Sequence, residues 1–284
     1  MRIFRNAMIV ALIVVLAVST IAFGQQQRQE RKVLFEQFTG TWCGWCPYGH
    51  EILNVLKGEH GDNMILLVYH ARDNLITEAG DELIAHVGPA YPQATVNRVQ
   101  FPYTSKVPIS RGDWAKTVEY MLGGSPTATI ETPDLKYDVD SREVSFNAKV
   151  TSRGSAEKKY RINVVLTEDH ILEAQKIFGK PSYNEIKDFY HSYVVREMVT
   201  GAFGEEFTLT VPKVEEPAEG QRRGRGAPAG TFEKNFSFKI DPKFVDKFCH
   251  VVVFVSEDNG DGYGPVLQAA EINIADLMPP GNNR

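Results

Sequence analysis

Three cysteines in 284 residues are too few for a disulfide-built scaffold, so the fold must rest on a hydrophobic core. Positive charge is also scarce. Thirty-one Lys and Arg stand against 36 Asp and Glu, a net charge of −5, which argues against nucleic acid as a partner. Beyond the first two dozen residues no apolar run approaches the length of a membrane span. The cysteine that a lipid-anchored export route needs at its cleavage point is absent, because the first one is Cys43. A structural zinc site wants two pairs of closely spaced ligands. Cys43 and Cys46 offer one pair and Cys249 with His250 no matching second, so neither a metal nor another cofactor is expected.

What is present begins with a leader. Arg2 and Arg5 precede an apolar run from Ala7 to Ala17, and Ala22-Phe23-Gly24 offers small residues at a cleavage site before Gln25. Residues 1–24 therefore read as a signal peptide, with an uncleaved anchor as the alternative. Its removal takes two arginines and moves the charge from −5 to −7. An exported protein that is not a lipoprotein is expected, in the periplasm, outer-membrane-associated or extracellular.

The most informative segment is Phe38-Thr39-Gly40-Thr41-Trp42-Cys43-Gly44-Trp45-Cys46-Pro47. Two cysteines two residues apart follow the apolar run Val33-Leu34-Phe35 and open an amphipathic helical stretch. A thiolate at a helix N-terminus meets unpaired N–H groups and the positive end of the macrodipole, which lower its pKa. A second cysteine one turn on can resolve a mixed disulfide into an internal one. This strand, turn, Cys-x-x-Cys and helix layout is that of a thioredoxin-like redox site. Cys43 is expected to attack and Cys46 to resolve, with a Cys43–Cys46 disulfide in the oxidised form. So short a loop gains little entropic stabilisation from a disulfide, which favours a redox role over a staple. Cys249 lies in the apolar strand pattern Phe248 to Val255 and reads as a buried thiol.

Apolar periodicity divides the remaining 260 residues. Strand-like runs at Val33–Phe38, Met64–His70 and Ala94–Val96 alternate with helical patterns after Cys46, at Asp81–Val87 and around Trp114, Val118 and Met121. Residues 25–123 are thus expected to form an α/β domain. From residue 124 to 284 the period becomes two, as in Val144, Phe146, Ala148 and Val150, or Tyr160, Ile162, Val164 and Leu166. Phe207-x-Leu209-x-Val211, Phe236-x-Phe238-x-Ile240, Val251–Val255 and Val266–Ile274 continue it. That pattern predicts an all-β, immunoglobulin-like sandwich. Pro181–Val199 reads as an ordered excursion with a short helix, and Gly-, Pro- and Arg-rich 212–231 as a mobile loop. Asp258-Asn259-Gly260-Asp261-Gly262 imitates the first half of a calcium loop, but Gln268 stands where its bidentate carboxylate should be, so it reads as a turn between strands.

The chain resembles the bacterial thioredoxin-like proteins related to a 28-kDa outer-membrane protein. The likeness rests on Phe38-Thr39-Gly40 before Cys43-x-x-Cys46-Pro47 and on Tyr91-Pro92-Gln93-Ala94-Thr95-Val96-Asn97-Arg98. Further on it rests on Leu166 to Ile171 with Gln175, His191 and Arg196, and on Val253-Phe254-Val255 with Val266 to Ala270. The resemblance implies a thioredoxin-like domain followed by a β-sandwich. It makes Pro92 the candidate cis-proline and places Trp42, Trp45, Tyr91 and Pro92 at a substrate-binding surface. Thioredoxins set a buried acid six residues before the first cysteine, where this chain has Gln37; Glu36 should face the other side of the sheet. His50 is expected on the surface of the helix.

These readings converge on an exported thiol–disulfide oxidoreductase that exchanges disulfides with protein thiols or disulfides of the envelope. The alternative is a non-enzymatic envelope or surface binding protein that works through its β-sandwich, peripherally associated with the envelope, with a vestigial or structural cysteine pair.

Overall fold

The computed structural model describes residues 30–211 and 229–279. The expected leader, 1–24, and residues 212–228 of the expected loop lie outside them, while Gly230 and Thr231 already belong to a strand.

The first half runs β1 (Val33–Thr39), α1 (Cys46–His60), β2 (Met64–His70), α2 (Glu78–Val87), β3 (Gln93–Val96), β4 (Ile109–Ser110) and α3 (Trp114–Leu122). All seven residues of β1 and of β2 are buried, as in a central sheet covered on both faces, with Glu36, Gln37 and Thr39 the polar residues of β1. The Thr77 hydroxyl caps α2 by accepting from the Gly80 N–H at 3.0 Å, and α2 stops at Gly88 in the left-handed region.

Apart from short 3-10 turns at Asp246–Phe248 and Ile274–Leu277, the elements of the second half are strands: β5 (Ala128–Glu131), β6 (Lys136–Asp138), β7 (Glu143–Ser152), β8 (Lys159–Glu168), β9 (Ile171–Lys176), β10 (Glu185–His191), β11 (Val194–Met198), β12 (Glu205–Thr208), β13 (Gly230–Lys239), β14 (Cys249–Glu257) and β15 (Val266–Asn273). The segment 181–199 holds β10 and β11 and no helix. Its polar and aromatic residues pair with β9 and β8, and cross-strand partners override the local pattern.

Strands from both halves share one nine-stranded sheet, ordered β15-β14-β8-β11-β2-β1-β3-β4 with β12 also on β8. The junction is a parallel register of Val194 with Val68, where the Val68 N–H donates to the Tyr193 carbonyl at 2.8 Å. Alternation along the strands then sorts the core. On one face, Val33, Phe35, Met64 and Leu66 pack under α1 and α3 around the fully buried Trp114. Further along that face, Ile162, Val164, Val251 and Val253 meet Val144, Phe146 and Phe236 of a separate sheet, β13-β7-β5 with β6 on β7. On the opposite face, Leu34, Ile65, Leu67, Val165, Val252 and Phe254 pack with Leu83 of α2. The molecule is mostly β, with mixed sheets and three α-helices among the described residues. No helix there is long and apolar enough to cross a membrane.

Two buried features stitch this sheet together. Glu36 takes a bidentate grip from Arg98, Nε to Oε2 at 2.9 Å and Nη2 to Oε1 at 2.8 Å, and also accepts from the Tyr69 and Thr95 hydroxyls. Arg98 lies 4.4 Å from the Tyr263 ring and 4.8 Å from that of Phe254 in the C-terminal hairpin. Burial alone would lower the Arg98 pKa; the Glu36 carboxylate more than offsets that and raises it. Asn97 is the second stitch. Its side-chain carbonyl accepts from the Leu34 N–H and its backbone carbonyl from the Val266 N–H, each at 2.9 Å.

Candidate functional site

Cys43 and Cys46 are disulfide-bonded, with Cα atoms 5.4 Å apart, at the N-terminus of α1. Pro47 sits in the first turn, where a missing N–H leaves nothing unpaired. No side chain caps this N-terminus and its first turn holds no acid, so the positive end of the helix is left to the cysteines. The Cys46 N–H donates to the Cys43 carbonyl at 3.0 Å.

The four residues expected at a binding surface divide into two groups. The Trp42 ring packs edge-on against Tyr91 at 5.3 Å, beneath the Arg72 guanidinium at 4.2 Å, and its indole N–H donates to the Ala71 carbonyl. The Tyr91–Pro92 peptide bond is cis. Trp45 lies apart from these, about half exposed, in edge contact with Phe178 and tilted against Tyr48, each at 5.8 Å.

A hairpin lies against the disulfide loop, and no local pattern in the sequence announces it. Strands β9 and β10 form a two-stranded sheet of their own. The Lys176 N–H donates to the Thr41 carbonyl and the Phe178 N–H to the Gly44 carbonyl, both at 2.8 Å. The Gln175 amide stands 3.0–3.3 Å from four carbonyls, those of Gly40, Thr41, Cys43 and Lys176. The Phe178 ring sits so close over Gly44 that any Cβ there would collide with it, which explains glycine between the cysteines. In consequence Cys43 is only 5 % exposed and Cys46 2 %.

Beneath the loop lies a second group of residues. Gln37, Thr39, Val68 and His70 share the sheet face that α1 covers. Gln37 reaches toward Gly49 of α1 and its Oε1 has no partner. Glu36 points to the other face, into the Arg98 pair. His70 Nδ1 lies 2.8 Å from Asp73 Oδ2, and the same oxygen accepts the Thr41 N–H of the cysteine loop at 2.8 Å. His191 of β10 stacks edge-on against His70 at 5.1 Å and against Phe189 at 4.7 Å. His50, one turn beyond Cys46, is not a free surface residue. It is partly buried against Phe189 at 5.5 Å. Burial and then the neighbouring His70 push its pKa down to about 4, and burial with His70 and His50 pushes that of His191 down to about 3. Burial alone would raise the Asp73 carboxyl; the His70 hydrogen bond and charge and the Thr41 and Leu75 N–H groups hold it below the ordinary range. Among the described residues no group of three His, Cys, Asp or Glu side chains is placed to hold a metal ion.

Cys249 is fully buried, its thiol pushed up to about 12 by burial and the nearby Glu168, which makes it inert. The Asp258–Gly262 segment joins β14 to β15, and the Asp258 carboxylate is engaged by Arg161 at 3.0 Å and by the Gly260 N–H at 2.8 Å.

The chain is similar in fold to HBP35 of Porphyromonas gingivalis, with a TM-score of 0.64 and 17 % identity over 89 % of this chain and 78 % of that one. A solved protein of Agrobacterium tumefaciens aligns with 88 % of this chain and 98 % of its own, at 15 % identity and a TM-score of 0.49. A domain of the outer membrane lipoprotein Omp28 from Porphyromonas gingivalis aligns with 52 % of this chain and 88 % of its own, at 16 % identity and a TM-score of 0.30. No curated protein matches. The family model for outer membrane protein Omp28 matches residues 86–275, which is 190 of the 284. That span begins after the cysteine pair and takes in Tyr91, Pro92, Gln175 and His191. On that match the chain belongs to the Omp28 family.

Proposed function

We propose that the protein is an exported thiol–disulfide oxidoreductase of the cell envelope, built as a thioredoxin-like domain followed by an immunoglobulin-like β-sandwich. One observation carries the reading: the Cys43–Cys46 disulfide sits at the uncapped, acid-free N-terminus of α1, where helix charge favours a Cys43 thiolate. Cys43 attacks a protein disulfide and Cys46 resolves the mixed disulfide. Trp42, Tyr91 and Pro92 form one wall of the protein-substrate surface and Trp45 the other. The family's description as an outer membrane protein supports the envelope as the site of action.

Burial of both sulfurs favours a second reading, in which the disulfide is structural and the β-rich half binds a partner without redox chemistry. The reduction potential separates the two. A value between roughly −120 and −270 mV lies in the range of exchange catalysts, and one below about −300 mV marks a structural bond. In the same assay series Cys43→Ser abolishes disulfide exchange; full activity in that variant would overturn the redox reading.

A further inference from the structure

A buried resolving cysteine must give up a proton before it can attack, and this site lacks the usual acceptor. Gln37 occupies the sheet position beneath α1 where a carboxyl group would serve, and an amide cannot take a proton. Glu36 is committed to Arg98 on the opposite face.

We propose that His70, oriented by Asp73, accepts the proton of the Cys46 thiol. The inference rests on the redox reading of the cysteine pair.

Three observations carry it. His70 ends β2 in register with Thr39, on the face covered by α1 and one residue pair nearer the cysteine loop than Gln37 with Val68. Its ring is fully buried yet Nε2 has no partner, an exception among buried polar atoms. Its other nitrogen is held by Asp73, whose same oxygen accepts the Thr41 N–H two residues before Cys43. A carboxylate on Nδ1–H leaves Nε2 as the basic nitrogen and stabilises the imidazolium that forms.

The groups around His70 fit a single proton acceptor. Asp73 follows β2, His50 comes from α1, and His191 from β10, where its ring engages the Glu173 backbone and its Nε2 has no partner. Asp169, in the turn between β8 and β9, adds negative charge felt by His50. Burial first, and the proximity of His70 after it, hold His50 and His191 in the neutral form, so neither carries a competing positive charge.

The step balances. The Cys46 S–H proton passes to His70 Nε2, and the Cys46 thiolate attacks Cys43 Sγ of the mixed disulfide. The Cys43–Cys46 bond forms as the Cys43–substrate bond breaks, and the second substrate sulfur leaves as thiolate. The protein pair is oxidised and the substrate disulfide is reduced.

Reduced full-length protein mixed with dithiobis-nitrobenzoate tests this, because thionitrobenzoate leaves in two phases. The bimolecular phase reports attack by Cys43 and the unimolecular phase attack by Cys46. In His70→Gln the second phase slows roughly a hundredfold at pH 7, and the deficit closes toward pH 9–10 as the thiol ionises unaided. The first phase is unchanged. Asp73→Asn, which leaves His70 in place, gives a smaller deficit of the same pH shape and serves if His70→Gln fails to fold. Adding Gln37→Asp to His70→Gln restores at least tenfold of the second phase. A second phase unaltered in both single variants, or slowed equally at every pH, overturns the assignment of His70 and leaves the redox reading intact. A missing first phase in the unsubstituted protein overturns the redox reading itself.

Discussion

Gln175 is the latch between the β9–β10 hairpin and the disulfide loop, and replacing it by alanine should open the site. Its amide has two N–H donors facing four carbonyls, so it satisfies two at full strength at any moment. A net hydrogen bond contributes about 1 kcal/mol, and an unmet buried carbonyl costs about 1–3 kcal/mol. Those carbonyls are solvated when the hairpin swings away, so the loss falls on the docked form alone. Docking should weaken by about 2–4 kcal/mol, which raises the open population roughly 30- to 1,000-fold. Both sulfurs are nearly inaccessible when docked, so reduction by a bulky phosphine proceeds from the open form and should accelerate by the same factor. Hydrogen exchange supplies an independent readout, since the Phe178 and Lys176 amides donate to the loop and should lose protection in step. A Gln175→Ala protein whose disulfide is reduced within threefold of the unsubstituted rate, with Phe178 still protected, would refute the latch.

Two predictions concern the buried charges. Arg98→Met strands the Glu36 carboxylate inside the sheet and should cost about 3–5 kcal/mol in urea unfolding, while the double variant with Glu36→Gln recovers most of it. A single variant as stable as the parent would show that water reaches Glu36. The second prediction concerns acid. His50 and His191 titrate near 4 and 3 when folded but near 6.5 when unfolded, so the unfolded chain binds more protons between those values. Stability should therefore fall as pH drops from about 6.5 toward 4, and His191→Gln should flatten that limb of a urea-midpoint profile. An unchanged limb would refute the burial of His191 as its cause.

The sequence by itself determined the local elements and the chemistry they carry. The strand-like runs at Val33–Phe38 and Met64–His70 and the two-residue period of Val144–Val150 each follow from backbone geometry and neighbouring side chains. The cysteine pair opening a helix is legible for the same reason, since spacing and Pro47 sit within one turn. What only the tertiary structure decided is how distant segments meet. Pairing of Val194 with Val68 merges strands of both halves into one sheet, and no short-range pattern encodes a partner more than a hundred residues away. The same holds for Gln175 and Phe178 upon the cysteine loop, and for His70, His191 and His50 beneath it. None of these residues announces its neighbours locally: His50 belongs to α1, His70 to β2, Gln175 to β9, His191 to β10 and Phe178 to the loop between β9 and β10. Their roles come from long-range packing, which excludes water from the imidazoles and brings Asp73 to both His70 and the cysteine loop.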